Sequence, residues 1–321
     1  MRRNLRSLRR SRRRPWRSAI AVCVAAALAL VAAAAPARGA SLFWDTVFTS
    51  LGYAKVDADR TLAEQPRLIE SALAGLAPQR PGVADLYFIG LAGDGREGVF
   101  RREVESVTRL FDARFGTKGR SLKLINSPRT LATVPLATPD NLRAMLARVG
   151  NVMDKDEDML FLFLTSHGAP GEFWIDAGPV PADPLYSDEL EDMLDASGIK
   201  WRVLVISACY SGSFIGPVWD AHTLVITAAR HDRSSFGCGS ERDWTYFGEA
   251  YFDHALRSES SFVDAFDQAE KAIAQREKDE DLKPSFPQIR VGRLIGPKLA
   301  ELERRIHGLQ QAESREREPA Q

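Results

Sequence analysis

Five apolar runs punctuate the middle of the chain: Ala84–Leu91 (ADLYFIGL), Leu122–Ile125, Met159–Thr165 (MLFLFLT), Val203–Ala208 (VLVISA) and Thr223–Thr227 (TLVIT). They are continuous rather than alternating, the pattern of strands buried on both faces. Between them, apolar positions recur at helical spacing near Phe100–Phe115, Asp140–Val152 and Ser187–Ala196. Two more helical stretches, Trp244–Leu256 and Phe262–Lys278, follow the fifth run, and Pro284–Gly292 (PSFPQIRVG) offers a closing strand. Strand alternating with helix predicts an α/β protein with a parallel, doubly wound sheet and helices on both faces. Ahead of it, one helix is expected near Ala58–Leu76, ended by Pro78, Pro81 and Gly82. An aromatic stretch (Leu42, Phe43, Trp44, Val47, Phe48) precedes that helix. The tail after Lys298 is charged and amphipathic, the signature of a terminal helix fraying into disorder.

Composition narrows the class. The 321 residues are 45% apolar and 27% charged, which suits an ordered globular protein and excludes collagen, a coiled-coil rod or a wholly disordered chain. Net charge is zero, but the zero hides a segregation. Residues 1–40 contain ten arginines and no acidic residue, leaving 33 basic against 43 acidic residues in the body, a net of −10. An acidic body disfavours nucleic acid as a partner, because that affinity rests on Lys and Arg neutralising phosphates.

The arginine-rich head is followed by an uncharged run, Ala19–Ala35, and then Ala35-Pro36-Ala37, an A-x-A cleavage signal. Basic head, apolar middle and small-residue end are the layout of a secretory signal. The same run sits at the lower limit for crossing a bilayer, which leaves an uncleaved inner-membrane anchor open. Either option exports the body, and heavy Ala and Arg use suggests a bacterial source, so the expected place is the periplasm or the inner membrane facing it. Three cysteines are too few for a disulfide scaffold. Cys23 lies in the targeting segment, so Cys209 and Cys238 are the thiols of the body.

In doubly wound sheets, sites form beyond the carboxyl ends of strands. After the third run comes Thr165-Ser166-His167-Gly168, and after the fourth Ser207-Ala208-Cys209-Tyr210-Ser211-Gly212. If these strands pair, a thiol and an imidazole share one cleft. A cysteine nucleophile needs that base, with backbone N–H groups for the oxyanion. Gly168, without a side chain, lets its N–H approach a substrate, and the N–H of Cys209 is the natural second donor. Taken singly, a strand-end Cys is usually a small hydrophobe and a lone His a loop residue. The joint placement is what points to catalysis. No G-x-S-x-G elbow, HExxH, CxxC or P-loop is present, and His222, His231, His254 and His307 lack metal-ligand spacing.

Strand–His-Gly followed by strand–Ala-Cys resembles the caspase-like cysteine peptidases, and within them the legumain (asparaginyl endopeptidase) family, which includes the catalytic subunit of the GPI-anchor transamidase. Phe100-Arg101-Arg102-Glu103-Val104-Glu105 resembles that family's Tyr-Arg-His-Gln-Ala-Asp. Thr227-Ala228-Ala229-Arg230-His231-Asp232-Arg233-Ser234-Ser235-Phe236-Gly237-Cys238 is similar to its Ala-Ala-Asn-Pro-Arg-Glu-Ser-Ser-Tyr-Ala-Cys. Tyr246-Phe247-Gly248-Glu249-Ala250-Tyr251 is similar to its Tyr-Leu-Gly-Asp-Trp-Tyr. The matches occur in one order over about residues 84–255.

The resemblance implies a caspase-like three-layer sandwich with a mostly parallel central sheet. Together with the patterns above it divides the chain into four parts: 1–40 signal or anchor, 41–82 helical lead segment, 83–297 peptidase domain, 298–321 tail. It implies Cys209 as nucleophile, His167 as base, the Gly168 and Cys209 amides as oxyanion hole, a peptide or protein substrate, and no metal or organic cofactor. The pocket for the residue before the scissile bond would use Arg101 and Glu249, with Ser234 and Ser235 alongside. Ser207 stands where the family has a second acid, and Val99 where it has a supporting asparagine. The missing acid should ease acceptance of aspartate beside asparagine. Two other readings remain: a silent domain that binds peptides, and a transpeptidase or transamidase of the same fold.

Overall fold

The run Met159–Thr165 is a strand, β3, whose side chains divide strictly by parity. Met159, Phe161 and Phe163 enter one core; Leu160, Leu162 and Leu164 enter the other. A strand's successive side chains point to opposite faces, so a run that is apolar at every position needs a layer on each side. The computed structural model describes Gly52 and residues 56–317. Residues 1–40, expected to act as a signal or anchor, and the aromatic stretch 42–48 lie outside the described residues.

Two short helices come first, α1 (Ala58–Ala63) and α2 (Gln65–Ala74). The sequence pattern predicts one helix here. Pro66, in the first turn of α2, has no N–H to continue the ladder from α1, and the axis breaks. There follow β1 (Leu86–Ala92), α3 (Gly98–Arg114), β2 (Ser121–Ile125), α4 (Pro139–Val152) and β3. A three-strand ribbon, β4 (Gly168–Ala169), β5 (Glu172–Phe173) and β6 (Leu185–Tyr186), leads into α5 (Ser187–Ser197) and β7 (Trp201–Ser207). Next are the 3₁₀ turn Ser211–Phe214, α6 (Ile215–Val218) and β8 (Thr223–Thr227). Then α7 (Tyr246–Gly248) runs through a π-helical stretch, Glu249–Ala255, into α8 (Leu256–Ser258). The chain ends in α9 (Phe262–Asp279), β9 (Gln288–Val291) and α10 (Gly296–Arg317).

The six-stranded sheet has order β2-β1-β3-β7-β8-β9, parallel except for β9, which pairs antiparallel with β8. One core gathers α3, the π-helical stretch, α9 and α10 on one face, the other α4 and α5 on the opposite face. This is the α/β three-layer sandwich, mostly parallel, that the sequence implied. The tail begins as a packed helix: Leu299, Leu302 and Ile306 of α10 are buried in the first core at helical spacing. β7 begins two residues before its apolar run. Arg202 interrupts the hydrophobic pattern, but its buried guanidinium meets Asp220 at 2.6 Å and Asp195 at 3.4 Å, and the ladder continues through it. No helix among the described residues is long and apolar enough to cross a membrane.

Candidate active site

β3 and β7 are neighbours, and their last register pair is Thr165 with Ser207. His167 and Cys209 each stand two residues beyond that pair. Pairing extends one step further, the Ser166 N–H donating to the Ser207 carbonyl at 3.2 Å. Adjacent strands lie roughly 5 Å apart, so the register alone brings the imidazole and the thiol to one sheet edge.

Gly168 is pressed against the nucleophile's backbone. A Cβ at Gly168 would lie 2.8 Å from the Cys209 carbonyl oxygen, 2.9 Å from that of Glu172 and 3.2 Å from the Ala208 side chain. Only glycine fits. The Trp174 N–H donates to the His167 carbonyl at 3.0 Å. Antiparallel pairs alternate between bonded and non-bonded, so the next pair, Gly168 with Phe173, turns the Gly168 N–H away from the ribbon. The Cys209 N–H donates to no protein acceptor among the described residues. Pro170 and Gly171, with φ +78 at the glycine, make the tight turn that returns the chain from Gly168 towards Trp174.

The loop after Cys209 is pinned at every step. Tyr210 has left-handed backbone, φ 57 and ψ 14, rare outside glycine. It holds because the Tyr210 N–H donates to the Arg233 carbonyl at 2.7 Å and the Gly212 N–H to the Ala229 carbonyl at 2.8 Å. Ser213 Oγ donates to the Tyr210 carbonyl at 2.7 Å and accepts from the Gly171 N–H at 2.8 Å. That bond joins the turn after His167 to the turn after Cys209. The Ser235 N–H reaches Cys209 Sγ at 3.4 Å, and Ser235 O and Oγ lie 3.6 and 3.8 Å from it. Ser234 is its neighbour in the same loop.

His167 is held by aromatic packing. Its ring meets buried Phe100 edge-on at 5.2 Å and the half-exposed Trp174 at 6.0 Å. The ring makes no hydrogen bond among the described residues, to Cys209 included. Cys209 and Cys238 are both free thiols. Burial, with the nearby Cys209 second, pushes the Cys238 thiol up to about 12, so at neutral pH it is an inert thiol.

The residues assigned to the pocket are not joined to one another. Arg101 Nη1 pairs with Glu105 at 2.7 Å, and its Nε is buried without a partner. Glu249 binds Arg276 at 2.6 Å and Arg242 at 3.5 Å. Ser207 is buried, with its Oγ 3.3 Å from Thr245 Oγ1. No hydrogen bond or ion pair links any two of Arg101, Ser207 and Glu249 among the described residues.

One buried carboxylate escaped the sequence reading. Glu103, on the core face of α3, is fully buried. Thr165 Oγ1 donates to its Oε2, and the Thr245 N–H and Oγ1 donate to Oε1 at 3.1 and 2.7 Å. Burial raises its pKa to about 7 against those three donors, which pull it down. Its signal was present: an acid among Val99, Phe100, Val104, Val107 and Phe111, on the apolar stripe of a helix. Among the described residues, no group of three or more His, Cys, Asp and Glu side chains could hold a metal ion.

A thiol and an imidazole closing adjacent parallel strands, in an α/β three-layer sandwich, define the class of site. Residues 140–297 match the model of the Peptidase C13 family, a stretch that includes His167, Gly168, Cys209 and Glu249 but not Arg101 or Glu103. Over that stretch the chain is similar to that family, the resemblance that its motifs implied. It is 32% identical to legumain of Canavalia ensiformis over 111 residues, 31% of this chain. The chain spans 23% of that relative's length. Among solved structures, caspase-1 from Spodoptera frugiperda superposes with a TM-score of 0.46 at 13% identity, over 67% of this chain and 90% of that one.

Proposed function

We propose that the protein is a cysteine endopeptidase with Cys209 as nucleophile and His167 as proton carrier. The observation that carries this reading is the register: His167 and Cys209 occupy equivalent positions beyond Thr165 and Ser207. The sulfur of Cys209 bonds to the scissile carbonyl carbon as His167 takes the thiol proton. The oxyanion sits between the N–H groups of Gly168 and Cys209, whose donors are free of the ribbon and loop ladders. The C–N bond breaks, and His167 returns the proton to the departing amine. Water, deprotonated by His167, then attacks the thioester; the C–S bond breaks and the thiol is restored.

The residue before the scissile bond is read by Arg101. Ser207 supplies no second acid, and Glu249 is engaged by two arginines, so the carboxylate count around Arg101 is low. That supports acceptance of aspartate as well as asparagine. Cleavage of a peptide library by the purified body, compared with Cys209→Ala, tests the activity and the preference together. Cleavage after Asp and Asn that vanishes in Cys209→Ala is expected. Cleavage that survives in Cys209→Ala, or none by the wild type, overturns the reading.

We also propose that residues 1–40 export the body. Cell fractionation with N-terminal mass measurement tests it. A mature terminus near Arg38, or an intact chain in the membrane fraction, is expected; an intact cytosolic chain contradicts it.

A further inference from the structure

We infer that Glu103 is a positioning residue for the reaction proposed above, on which this inference rests: its buried carboxylate clamps the ends of β3 and β7 and so sets His167 against Cys209. The two arms of the clamp are on different elements. Oε2 accepts from the hydroxyl of Thr165, two residues before His167. Oε1 accepts from the N–H and hydroxyl of Thr245, and Thr245 Oγ1 lies 3.3 Å from Ser207 Oγ, two residues before Cys209. Thr165 and Ser207 are themselves the final register pair. One carboxylate therefore contacts, directly or through one hydroxyl, both strands that present the reacting groups.

The geometry around the carboxylate is fitted to it. A Cβ at Gly248 would collide with Glu103 Oε1, so glycine at the α7 end of the loop makes the room. Thr245 caps α7, accepting from the Gly248 N–H at 2.9 Å, which fixes the hydroxyl that donates to Glu103. Among the described residues no Lys, Arg or His pairs with Glu103. From β3 it faces Thr165, and from the 245–248 segment Thr245 and Gly248. The nearby titratable group is Cys238, neutral at physiological pH, which also feels Glu97 and Asp94.

Charge matters to the clamp because all three neighbours can donate at once only to a carboxylate. A protonated Glu103 must donate one bond, and the Thr245 N–H cannot accept, so one threonine hydroxyl must reverse. Burial places that change near neutrality. Glu103→Gln keeps the shape and fixes the arrangement of the protonated form, with one amide edge donating and the other accepting.

The experiment follows inactivation of Cys209 by a peptidyl chloromethyl ketone ending in aspartate, from pH 5.5 to 8.5. For Glu103→Gln we expect the maximal rate at pH 8 to fall about ten-fold with the half-saturating concentration unchanged, and to converge on wild type near pH 5.5. Thr165→Ser should retain the wild-type profile and Thr165→Val should copy Glu103→Gln, a pair that answers even if Glu103→Gln does not fold. Equal rates for wild type, Glu103→Gln and Thr165→Val, or a fall that is the same at every pH, overturn the inference. Wild-type inactivation no faster than in Cys209→Ala overturns the peptidase reading itself, a separate result.

Discussion

The backbone of Gly168 lies so close to that of Cys209 that a single added carbon would stand 2.8 Å from the Cys209 carbonyl oxygen. The segments that carry His167 and Cys209 thus share one wall, and in our account the oxyanion forms against it. Gly168→Ala pushes backbone against backbone, which cannot relax as a side chain does. We predict a fall of about 100-fold or more in the rate of acylation, the scale of losing one oxyanion donor. Single-turnover thioester formation measures it. A loss under three-fold removes Gly168 from the site.

Arg101 gives the second prediction. Its one ion pair, with Glu105 four residues on, contributes about 0.5 kcal/mol to the fold. Arg101→Ala should therefore shift thermal unfolding little, while cleavage after Asp or Asn falls on the order of 100-fold for a lost charged contact to substrate. Steady-state kinetics alongside a melting curve separates the two. Unchanged kinetics takes Arg101 out of the pocket.

The two thiols of the body should react very differently. Both are partly exposed, but the surroundings of Cys238 hold its thiol neutral, with its pKa pushed up to about 12. Brief iodoacetamide treatment at pH 7.5, read by peptide mass mapping, should modify Cys209 and spare Cys238. Equal modification contradicts the suppressed ionisation of Cys238.

Glu103 links stability to pH in the opposite sense to an ordinary surface carboxylate. Burial raises its folded-state pKa from 4.5 to about 7. The folded state then holds a proton that the unfolded chain has lost between those values. Its stabilising contribution is complete below pH 4.5 and is lost as pH rises through 7. The full loss is about 3 kcal/mol, from 1.36 kcal/mol per pKa unit. Glu103→Gln has no such dependence, so its stability relative to wild type should improve by about that amount from pH 4.5 to pH 8. Urea unfolding at the two pH values tests this; a constant difference refutes it. The same substitution is expected to slow catalysis at pH 8, the opposite direction to its effect on stability.

The parts of this molecule that follow from local pattern were legible in the sequence. β3 and β8 fall on their apolar runs residue for residue, because strands covered on both faces carry a continuous signal. Strand ends then located His167 and Cys209. What was not legible depends on partners distant in sequence. The apolar run starts at Val203, and β7 extends back through Arg202 because Asp220 and Asp195 neutralise its guanidinium. Glu249 matched a pocket acid by motif, but α9 brings Arg276 to it from 27 residues away. The same holds for Glu103, whose partners Thr165 and Thr245 come from positions far along the chain. Helical spacing marked it as inward-facing, and only the sheet's topology supplied the hydroxyls.

The central claim is that Cys209 is a nucleophile served by His167. Intact-mass measurement of covalent labelling by a peptidyl chloromethyl ketone ending in aspartate tests it most directly. The account predicts one adduct on wild type, mapped to Cys209, no adduct in Cys209→Ala, and a labelling rate about 1,000-fold lower in His167→Ala, within the usual contribution of a general base. Labelling of Cys209→Ala at the wild-type rate, or of His167→Ala as fast as wild type, would contradict it.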